Sequence, residues 1–418
     1  MKKTFLFVIL VVLSLFPLTQ RALAQGSPYD FIGFGTPVQS GDPIIEALGG
    51  TGVALGESRT INNINPADWI WMNRARFNIS LRYDYNNFQL GTDRGAEHNI
   101  GFNGLTFGAP FWSEYSATVA IGYVPLTNAS GEIDQTGSGD SAKYQSKGGT
   151  NMLFLGVGAE PWKGLALGAR FDLVTGDIRH QDIISFSDME SQSGEFERDY
   201  FFYGIRPTFG LELIGDSLTD VLSGWTIGAS YSLGTNLTST RETIVTPANS
   251  TLDTTLDDGG KGYYPSSLTV GIAYKFSHRY RGEVDYAEQN FSTAYVFSPN
   301  SISGDPTLRN SMRASIGIER LANVAGEFGT SFGLDRWALR LGFYFSQLPL
   351  NPAGSGGINE LGLSAGVGIP VSYESLLNFS LIGGQRLPVT SGGAPKETFI
   401  RLGASISLSE RWFVPTRR

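Results

Sequence analysis

Strict alternation of apolar and polar residues runs through several segments of the chain. In residues 77–86 the apolar positions are Phe77, Ile79, Leu81, Tyr83 and Tyr85, and every residue between them is polar. The same alternation occurs in 268–277 and 400–409. Because successive side chains of a β-strand face opposite sides, this pattern predicts strands with one apolar and one polar face. An amphipathic helix would need apolar spacings of three and four, which these segments lack.

Segments of this kind recur along most of the chain. They lie at 77–90, 97–109, 114–124, 150–160, 164–178, 198–213, 223–236, 266–277, 279–289, 308–320, 335–346, 359–369, 373–385 and 397–411. Each is about as long as a tilted strand that crosses a bilayer, and single-chain bacterial barrels have an even number of strands. The pattern therefore predicts an all-β fold, a 14-stranded antiparallel transmembrane β-barrel over residues 77–413, followed by a short tail at 414–418.

The connections between these segments alternate in length. Those after the second, fourth, eighth and twelfth segments are short, whereas those after the third, fifth, seventh and ninth are long and polar, such as 236–265. Two even-numbered connections, 214–222 and 321–334, are longer than the rule prefers. Outer-membrane barrels have short periplasmic turns and longer external loops. The phase therefore places both termini of the mature chain in the periplasm.

The N-terminus has the three parts of a secretory signal peptide. Lys2 and Lys3 precede an almost wholly apolar stretch, 5–18, and Ala22-Leu23-Ala24 supplies a small-x-small cleavage site. We expect residues 1–24 to be removed on export; the alternative is a single N-terminal anchor helix. No later apolar run reaches 18 residues, so a membrane protein with this sequence has to cross with strands. The expected location is the outer membrane.

Composition narrows the function further. The 53 glycines and 12% aromatic residues suit a barrel, and the net charge of −8 argues against a nucleic-acid partner. The three histidines, His98, His180 and His278, match no metal spacing, and no catalytic triad motif occurs. We expect no enzyme activity, no cofactor and no metal.

Residues 25–76 do not resemble barrel wall. They are rich in Gly, Pro and Asn, yet contain many apolar side chains, including Ile44, Ile45, Leu48, Trp69 and Trp71. A disordered periplasmic tail would carry fewer of these residues. A 14-stranded barrel has a lumen too wide for its own side chains to fill, so the segment is predicted to be a hatch that plugs the lumen.

Two motifs in this segment carry a family resemblance. Gly49-Gly50-Thr51-Gly52-Val53-Ala54-Leu55 is followed about ten residues later by Asn65-Pro66-Ala67, behind a signal peptide and ahead of the β alternation. This arrangement resembles the FadL-type long-chain fatty acid and hydrocarbon transporters. The resemblance implies that Gly49, Gly50, Gly52, Asn65, Pro66 and Ala67 belong to the hatch. It also implies that substrates meet a groove of outer loops, then a deeper apolar pocket, and leave sideways through a gap beside a kinked strand.

The implied function is passive uptake of a hydrophobic small molecule, gated by the hatch. A related group of 14-stranded proteins serves in protein secretion, which is one alternative, and a general porin is another. The expected partners are the lipid bilayer and lipopolysaccharide, a hydrophobic ligand, and the barrel assembly machinery during insertion. We expect a monomer.

A phase slip in the second segment marks a possible lateral opening. Ile100 and Phe102 are apolar at even positions, and the pattern then shifts to Leu105 and Phe107, with Asn103-Gly104 between them. This is how a β-bulge reads in a sequence, and a bulge can break strand pairing. The alternative is an ordinary bulge that relieves twist.

The alternation assigns many charged residues to the inner face of the barrel. They are Arg82, Asp84, Arg170, Asp172, Arg206, Glu212, Lys275, Arg313, Arg336, Arg340 and Arg401. One interpretation is a salt-bridged lumen that braces the wall. The other is that some arginines bind a ligand carboxylate, for which a bidentate guanidinium is well suited. Arg82, Arg170 and Arg340 are the candidates.

Overall fold

The computed structural model describes residues 27–38, 41–136, 140–186, 193–247, 253–298, 305, 307–322, 334–371, 375–390 and 394–410. The predicted signal peptide and the tail at 414–418 lie outside these residues, as does most of the connection 321–334. Within the described ranges, no helix has the length and apolar character needed to span a membrane.

Fourteen antiparallel strands form a closed barrel. They are β1 (Ala75–Leu90), β2 (Asp93–Trp112), β3 (Ala117–Asn128), β4 (Ser141–Trp162), β5 (Leu165–Ser185), β6 (Gly194–Ile214), β7 (Trp225–Ser232), β8 (Ser267–Ser277), β9 (Tyr280–Gln289), β10 (Ser311–Arg320), β11 (Ala338–Gln347), β12 (Ile358–Pro370), β13 (Leu376–Pro388) and β14 (Lys396–Glu410). The barrel closes where β14 pairs with β1, from Lys396 opposite Gln89 to Glu410 opposite Ala75. The predicted fold and all fourteen predicted strands are confirmed.

Among the described residues, five further strands lie outside this ring of fourteen. They are Thr36–Pro37, Gly131–Thr136, Thr235–Pro247, Asp253–Tyr264 and Tyr295–Ser298. Thr235–Pro247 and Asp253–Tyr264 form a hairpin, and the first of these strands pairs with residues Gly194–Tyr203 of β6. The prediction of a polar loop over 236–265 was therefore wrong. Threonine and other β-branched residues favour strands even where both faces are polar.

The helical elements are all short. The α-helices are α1 (Pro43–Ala47) and α2 (Gly215–Leu218), and the 3₁₀ turns are Pro28–Phe31, Pro66–Trp71, Ser113–Tyr115, Asp220–Leu222, Phe291–Thr293 and Leu334–Arg336. Arg336, predicted to lie on an inward strand face, is instead in the last of these turns. Helix α1 begins at Pro43 because the Asp42 carboxylate accepts a hydrogen bond from the Ile44 N–H, at 2.8 Å.

The two faces of the wall differ in polarity as the alternation predicts. Large apolar side chains are exposed on the outer face of most strands, for example Phe77, Leu155, Phe171, Ile205, Leu341 and Leu402. The inner face carries buried polar and charged side chains, among them Arg170, Asp172, Arg340, Glu360 and Arg401. An apolar outer belt around a polar interior is the arrangement of a membrane-spanning barrel.

Residues 27–38 and 41–72, called the hatch segment below, run through the interior of the barrel. At one end the Ser27 hydroxyl donates to Glu397 Oε2, at 2.5 Å, and the Tyr29 hydroxyl donates to the Pro395 carbonyl, beside the connection between β13 and β14. At the other end Trp71 leads into β1. Ser27 therefore lies at the long-connection end of the barrel, opposite the end predicted for the mature N-terminus. The alternation of long and short connections fixes where β1 begins. It does not show that the hatch segment before β1 crosses the whole lumen.

Candidate functional site

The Gly-rich loop of the hatch segment is held by charged side chains of the wall. Asp285 Oδ2 accepts hydrogen bonds from the backbone N–H groups of Gly52 and Val53, at 2.7 and 2.9 Å. Arg313 donates to the Gly49 carbonyl at 2.6 Å. Gly49 and Gly50 have φ of 74° and 88°, a left-handed conformation that favours glycine. The loop therefore binds the wall through its own backbone.

The Asn-Pro-Ala motif forms a capped turn that meets this loop. Asn65 accepts a hydrogen bond from the Ala67 N–H at 3.0 Å, and its amide donates to the Val53 carbonyl at 2.7 Å and to Leu211 of β6 at 3.2 Å. Pro66 occupies the first position of the turn, where its missing N–H is not needed. The motif therefore ties the Gly-rich loop to the wall.

Aromatic packing anchors the remainder of this turn. The Trp69 indole N–H donates to the Asn62 carbonyl at 2.6 Å, and its ring stacks on Phe154 of β4 with centroids 5.9 Å apart. Asp68 accepts from the Gly56 N–H at 2.6 Å. Burial raises the pKa of Asp68 to about 7, although that hydrogen bond opposes the rise. Asp30, at the other end of the hatch segment, has its pKa raised to about 7 by the same cause.

On strands β4 to β14, nine inward glycines among the described residues lie directly against the hatch segment. In each case an added Cβ would meet a hatch atom at less than normal contact distance. This glycine belt consists of Gly158, Gly168, Gly210, Gly228, Gly271, Gly317, Gly342, Gly366 and Gly403. Several members are paired across neighbouring strands, such as Gly168 with Gly210 and Gly317 with Gly342. Because these glycines have no side chains, the hatch backbone approaches the wall closely. The hatch segment thereby fills the half of the lumen nearer the short turns.

The long-connection end of the lumen is filled in a different way. An apolar cluster there joins the start of the hatch segment to the wall and the outer connections. Its aromatic members include Tyr29, Phe34, Phe202, Tyr264 and Phe291, and Leu308 and Leu350 pack against them. Phe34 meets the rings of Phe202 and Tyr264 edge to face, with centroids 5.4 and 5.3 Å away.

The wall pairing is interrupted between β2 and β3. The two strands pair from Trp112 opposite Ala117 up to Leu105 opposite Tyr123 and no further, although β2 starts at Asp93 and β3 ends at Asn128. On the other side of β2, Ser80 pairs with Gly104 and Leu81 with Phe102, so Asn103 is an extra residue. The predicted bulge at Asn103-Gly104 is confirmed. It lies where β2 separates from β3.

The hatch segment covers the strand edge that this separation leaves bare. Thr36 and Pro37 pair with Asn128 and Thr127 of β3, and the Val38 N–H donates to the Leu126 carbonyl at 2.9 Å. An unpaired edge would otherwise leave backbone groups without partners.

A second contact joins the hatch segment to the bulge itself. The Asn103 amide donates to Glu46 of α1 at 2.9 Å, and the Ser80 hydroxyl donates to the Gly41 carbonyl at 2.7 Å. On the outer face Phe102 and Tyr123 stack across the gap, with ring centroids 6.0 Å apart. The gap therefore has hatch on its inner side and an aromatic pair on its outer side.

Two cavities meet at this gap. The lateral cavity, about 470 Å³, is lined by residues of β1 to β5 that include Arg82, Asn99, Phe102, Lys147 and Asp177. The lumen cavity, about 290 Å³, lies between the hatch segment and the inner wall. Both cavities are lined by Val38, Pro125 and Thr127, so they adjoin at the edge of β3.

The three arginines predicted to bind a ligand carboxylate lie in three different places. Arg82 lines the lateral cavity and pairs with Asp84 at 2.8 Å, and Arg170 lines the lumen cavity and pairs with Asp172 at 2.8 Å. Arg340 lines neither of these cavities; it is buried and bonded to Glu319 at 2.7 Å and to Asn378 at 3.2 Å.

Two other arginines line the lumen cavity but were not among the candidate carboxylate contacts predicted from the sequence. Arg206 lies 3.4 Å from Asp172, and Arg313 belongs to no carboxylate ion pair among the described residues. The Arg313 guanidinium lies over the Tyr344 ring, 3.7 Å from its centroid. Both arginines stand among the inward charges predicted from alternation, but no feature of the sequence distinguishes those that face a cavity. The described ranges contain no group of three or more histidine or acidic side chains that could hold a metal ion.

The closed 14-stranded barrel matches the fold of solved channel structures, which include a FadL homologue. Solved structures with this fold include the CymD monoaromatic hydrocarbon channel (TM-score 0.58, 16% identity, 92% of this chain and 100% of that one). The Ralstonia pickettii toluene transporter TbuX has TM-score 0.57 and 17% identity, covering 90% and 99%. A Pseudomonas aeruginosa FadL homologue has TM-score 0.56 and 12% identity, covering 90% and 98%. At these identities the likeness concerns the fold.

The sequence itself assigns the family. Residues 1–417 match the family described as BamG, and the chain belongs to that family. No curated protein is detectably similar to the chain in sequence.

Proposed function

We propose that the protein is an outer-membrane channel that passes a hydrophobic small molecule between the lumen and the bilayer through the gap between β2 and β3. The observation that carries this proposal is the loss of pairing beyond Leu105 and Tyr123 at the point where the lumen and lateral cavities adjoin. The fold likeness to hydrocarbon channels and a toluene transporter supports the class of ligand. Cleavage of residues 1–24 on export belongs to the same proposal.

A sideways route follows from how the lumen is filled. The glycine belt brings the hatch backbone into contact with the wall at the short-turn end, which disfavours a straight axial passage. The gap, in contrast, is closed by three hatch residues, one side-chain contact at Asn103 and one aromatic pair. In this proposal residues 25–76 form the hatch. Opening the gap breaks fewer contacts than removing this hatch from the barrel. The filled lumen also favours this function over a general porin.

Within the lumen cavity, Arg313 is the best placed group for a ligand carboxylate. Among the described side chains it forms no ion pair with a carboxylate, and its Nε has no hydrogen-bond acceptor. Burial disfavours the Arg313 charge, and Glu360 offsets this cost only from beyond ion-pair distance, so an anionic ligand would relieve the remaining cost. Arg170, already held by Asp172, is a second contact. This arrangement suits a long-chain carboxylate as well as a neutral hydrocarbon.

Deletion of Asn103 tests the lateral route. Removing the extra residue restores a continuous register between β1 and β2 and extends β2 toward β3, so the gap should narrow. We expect uptake of a radiolabelled long-chain fatty acid and of toluene into cells to fall to the level of a strain without the gene. Asn103→Ala, which keeps the chain length, is the matched control and should retain most of the uptake.

Two outcomes of this experiment, and one separate measurement, are informative. Normal uptake with the deletion would overturn the lateral route. Equal uptake with and without the gene would overturn the transport function and leave a role in protein secretion. A large steady ion conductance of the wild-type protein in planar bilayers would favour a general porin.

A further inference from the structure

The outer face of the barrel carries an apolar groove in the half nearer the short turns, called the outer groove below. It has a volume of about 600 Å³. Its sides are formed by exposed apolar side chains of β8 to β11, among them Phe276, Val284, Ile318 and Leu341. Gly282 opens the middle of the outer groove, since an added Cβ would lie 3.6 Å from the Phe276 ring, at ordinary contact distance.

Aromatic side chains show the level of the outer groove in the membrane. Tyr280 stacks on Phe276 with ring centroids 6.1 Å apart, and the ring centroids of Trp225 and Tyr274 are 4.4 Å apart. All four residues are exposed on the outer face at the short-turn end of the barrel. Outer-membrane barrels carry aromatic girdles at both interfaces, and their short turns are periplasmic. The outer groove therefore faces the periplasmic leaflet, which consists of phospholipids, whereas lipopolysaccharide occupies the external leaflet.

Arg320 places a positive charge at the short-turn end of the outer groove. It pairs with Tyr280 across the ladder and lies on the outer face two residues beyond Ile318, about 7 Å along the strand. Its Nη2 donates to the carbonyls of Leu334 and Trp337, the second at 3.3 Å. These carbonyls hold the guanidinium group where acyl chains meet lipid headgroups.

Arg320 and Arg279 contact the same turn but differ in their partners. Arg279 pairs with Asp335 at 2.7 Å. Among the residues that the structure describes, Arg320 forms no ion pair, and its Nε has no hydrogen-bond acceptor. Two cations and one carboxylate thus stand together beside an apolar surface. Guanidinium groups bind phosphate through paired, charge-assisted hydrogen bonds, and basic groups at a membrane surface attract anionic lipids.

We propose that the outer groove holds an acyl chain of an anionic phospholipid from the periplasmic leaflet, and that Arg320 binds the phosphate of this lipid. The acyl chain lies in hydrocarbon with or without the outer groove, so the groove contributes van der Waals contact rather than hydrophobic burial. The contact with Arg320 therefore decides which lipid stays. A cation without a counter-charge favours phosphatidylglycerol over phosphatidylethanolamine, whose ammonium group it repels. The site lies on strands remote from the gap between β2 and β3, so it requires neither the lateral opening nor transport.

Lipid retention measured by native mass spectrometry tests the charge contact. The full-length barrel is equilibrated with vesicles containing equal amounts of phosphatidylglycerol and phosphatidylethanolamine, and the lipid that stays on the folded protein is identified. We expect a several-fold preference for phosphatidylglycerol in the wild type and no preference in Arg320→Gln. Lys163→Gln is the matched control, because Lys163 is an exposed cation in another short turn at the same end of the barrel and does not line the outer groove.

A second pair of variants tests the outer groove apart from the charge. Gly282→Val fills the middle of the groove with a residue that favours strands, so the total amount of lipid retained should fall several-fold. Gly383→Val is its control, because Gly383 is also exposed on a strand and no atom lies within 4 Å of its Cβ position.

Each result supports or overturns the proposal. Loss of the phosphatidylglycerol preference in Arg320→Gln alone, together with lower retention in Gly282→Val alone, supports it. Equal retention of the two lipids by the wild type, or a preference for phosphatidylethanolamine, overturns it. An unchanged preference in Arg320→Gln, a lost preference in Lys163→Gln, or unchanged retention in Gly282→Val also overturns it. Hydrophobe uptake by the wild type bears only on the transport function, so the two proposals fail independently.

Discussion

Gly342→Ala should loosen the hatch segment from the wall without disturbing the barrel. The new Cβ would lie well inside van der Waals contact with the backbone N of Gly49 and the carbonyl carbon of Leu48. Strand β11 is paired along its length with β10 and β12, so it cannot retreat without breaking two ladders. The hatch backbone therefore has to move.

The contacts at Gly49 set the size of the effect. Its N–H donates to Ser364 Oγ at 2.9 Å, and its carbonyl accepts from Arg313 at 2.6 Å. A neutral hydrogen bond contributes about 1 kcal/mol and one to a charged group about 2 kcal/mol. Losing both weakens docking by about 3 kcal/mol. Since 1.4 kcal/mol is about tenfold in an equilibrium constant, the undocked population should rise roughly a hundredfold.

A single introduced cysteine reports this population, because the natural chain has none. Thr51 is fully buried in the hatch segment, so Thr51→Cys reacts with a hydrophilic maleimide when the hatch leaves the wall. Labelling should be roughly a hundredfold faster in the Gly342→Ala background. Gly383→Ala is the control, since no atom lies within 4 Å of its Cβ position. Equal labelling rates in the two backgrounds would refute the role assigned to the glycine belt.

Further predictions concern the same hatch and the lumen cavity. Burial raises the pKa of Asp68 and Asp30 to about 7, so the docked hatch favours their protonated forms; docking should be strongest below about pH 4 and weaken as the pH rises through 7. Labelling of Thr51→Cys, corrected for the reactivity of a free thiol, should then accelerate with pH, and Asp68→Asn should reduce that slope; a flat profile in the wild type contradicts this. Trp69→Ala removes a buried ring stacked on Phe154 and should weaken hatch docking by about 3–5 kcal/mol, seen as faster labelling. Arg313→Gln should lower the affinity for a long-chain carboxylate while leaving a neutral hydrocarbon unaffected in competition binding; equal losses for the two ligands would refute a charge contact.

The wall was predictable because each strand has lipid on one face and the lumen on the other. This difference imposes a period of two on residues such as Phe77, Ile79 and Leu81, and a slip in that period revealed the bulge at Asn103. The hairpin formed by Thr235–Pro247 and Asp253–Tyr264 was missed because most residues on both of its faces are polar, so its sequence resembles a polar loop.

The site was less predictable because it depends on register and on the path of the hatch. Alternation shows that Arg313 and Arg340 both point inward, but only the folded hatch decides which one faces a cavity and which one is buried beneath it. The inward glycines were likewise visible in the sequence, for example Gly317 and Gly342. That their missing side chains make room for Leu48 and Gly49 follows only from the three-dimensional register.

The glycine belt also constrains how the molecule can assemble. The hatch segment enters the lumen beside β1, reaches Ser27 at the far end, and touches inward glycines on strands from β4 to β14. The last ladder to close the ring, β14 on β1, joins the two ends of the barrel sequence. A chain threaded in this way fits its plug most readily while that seam is still open. The hatch segment would then fold into place first, and the ladder between β14 and β1 would form last. The barrel would close around a hatch that is already in position.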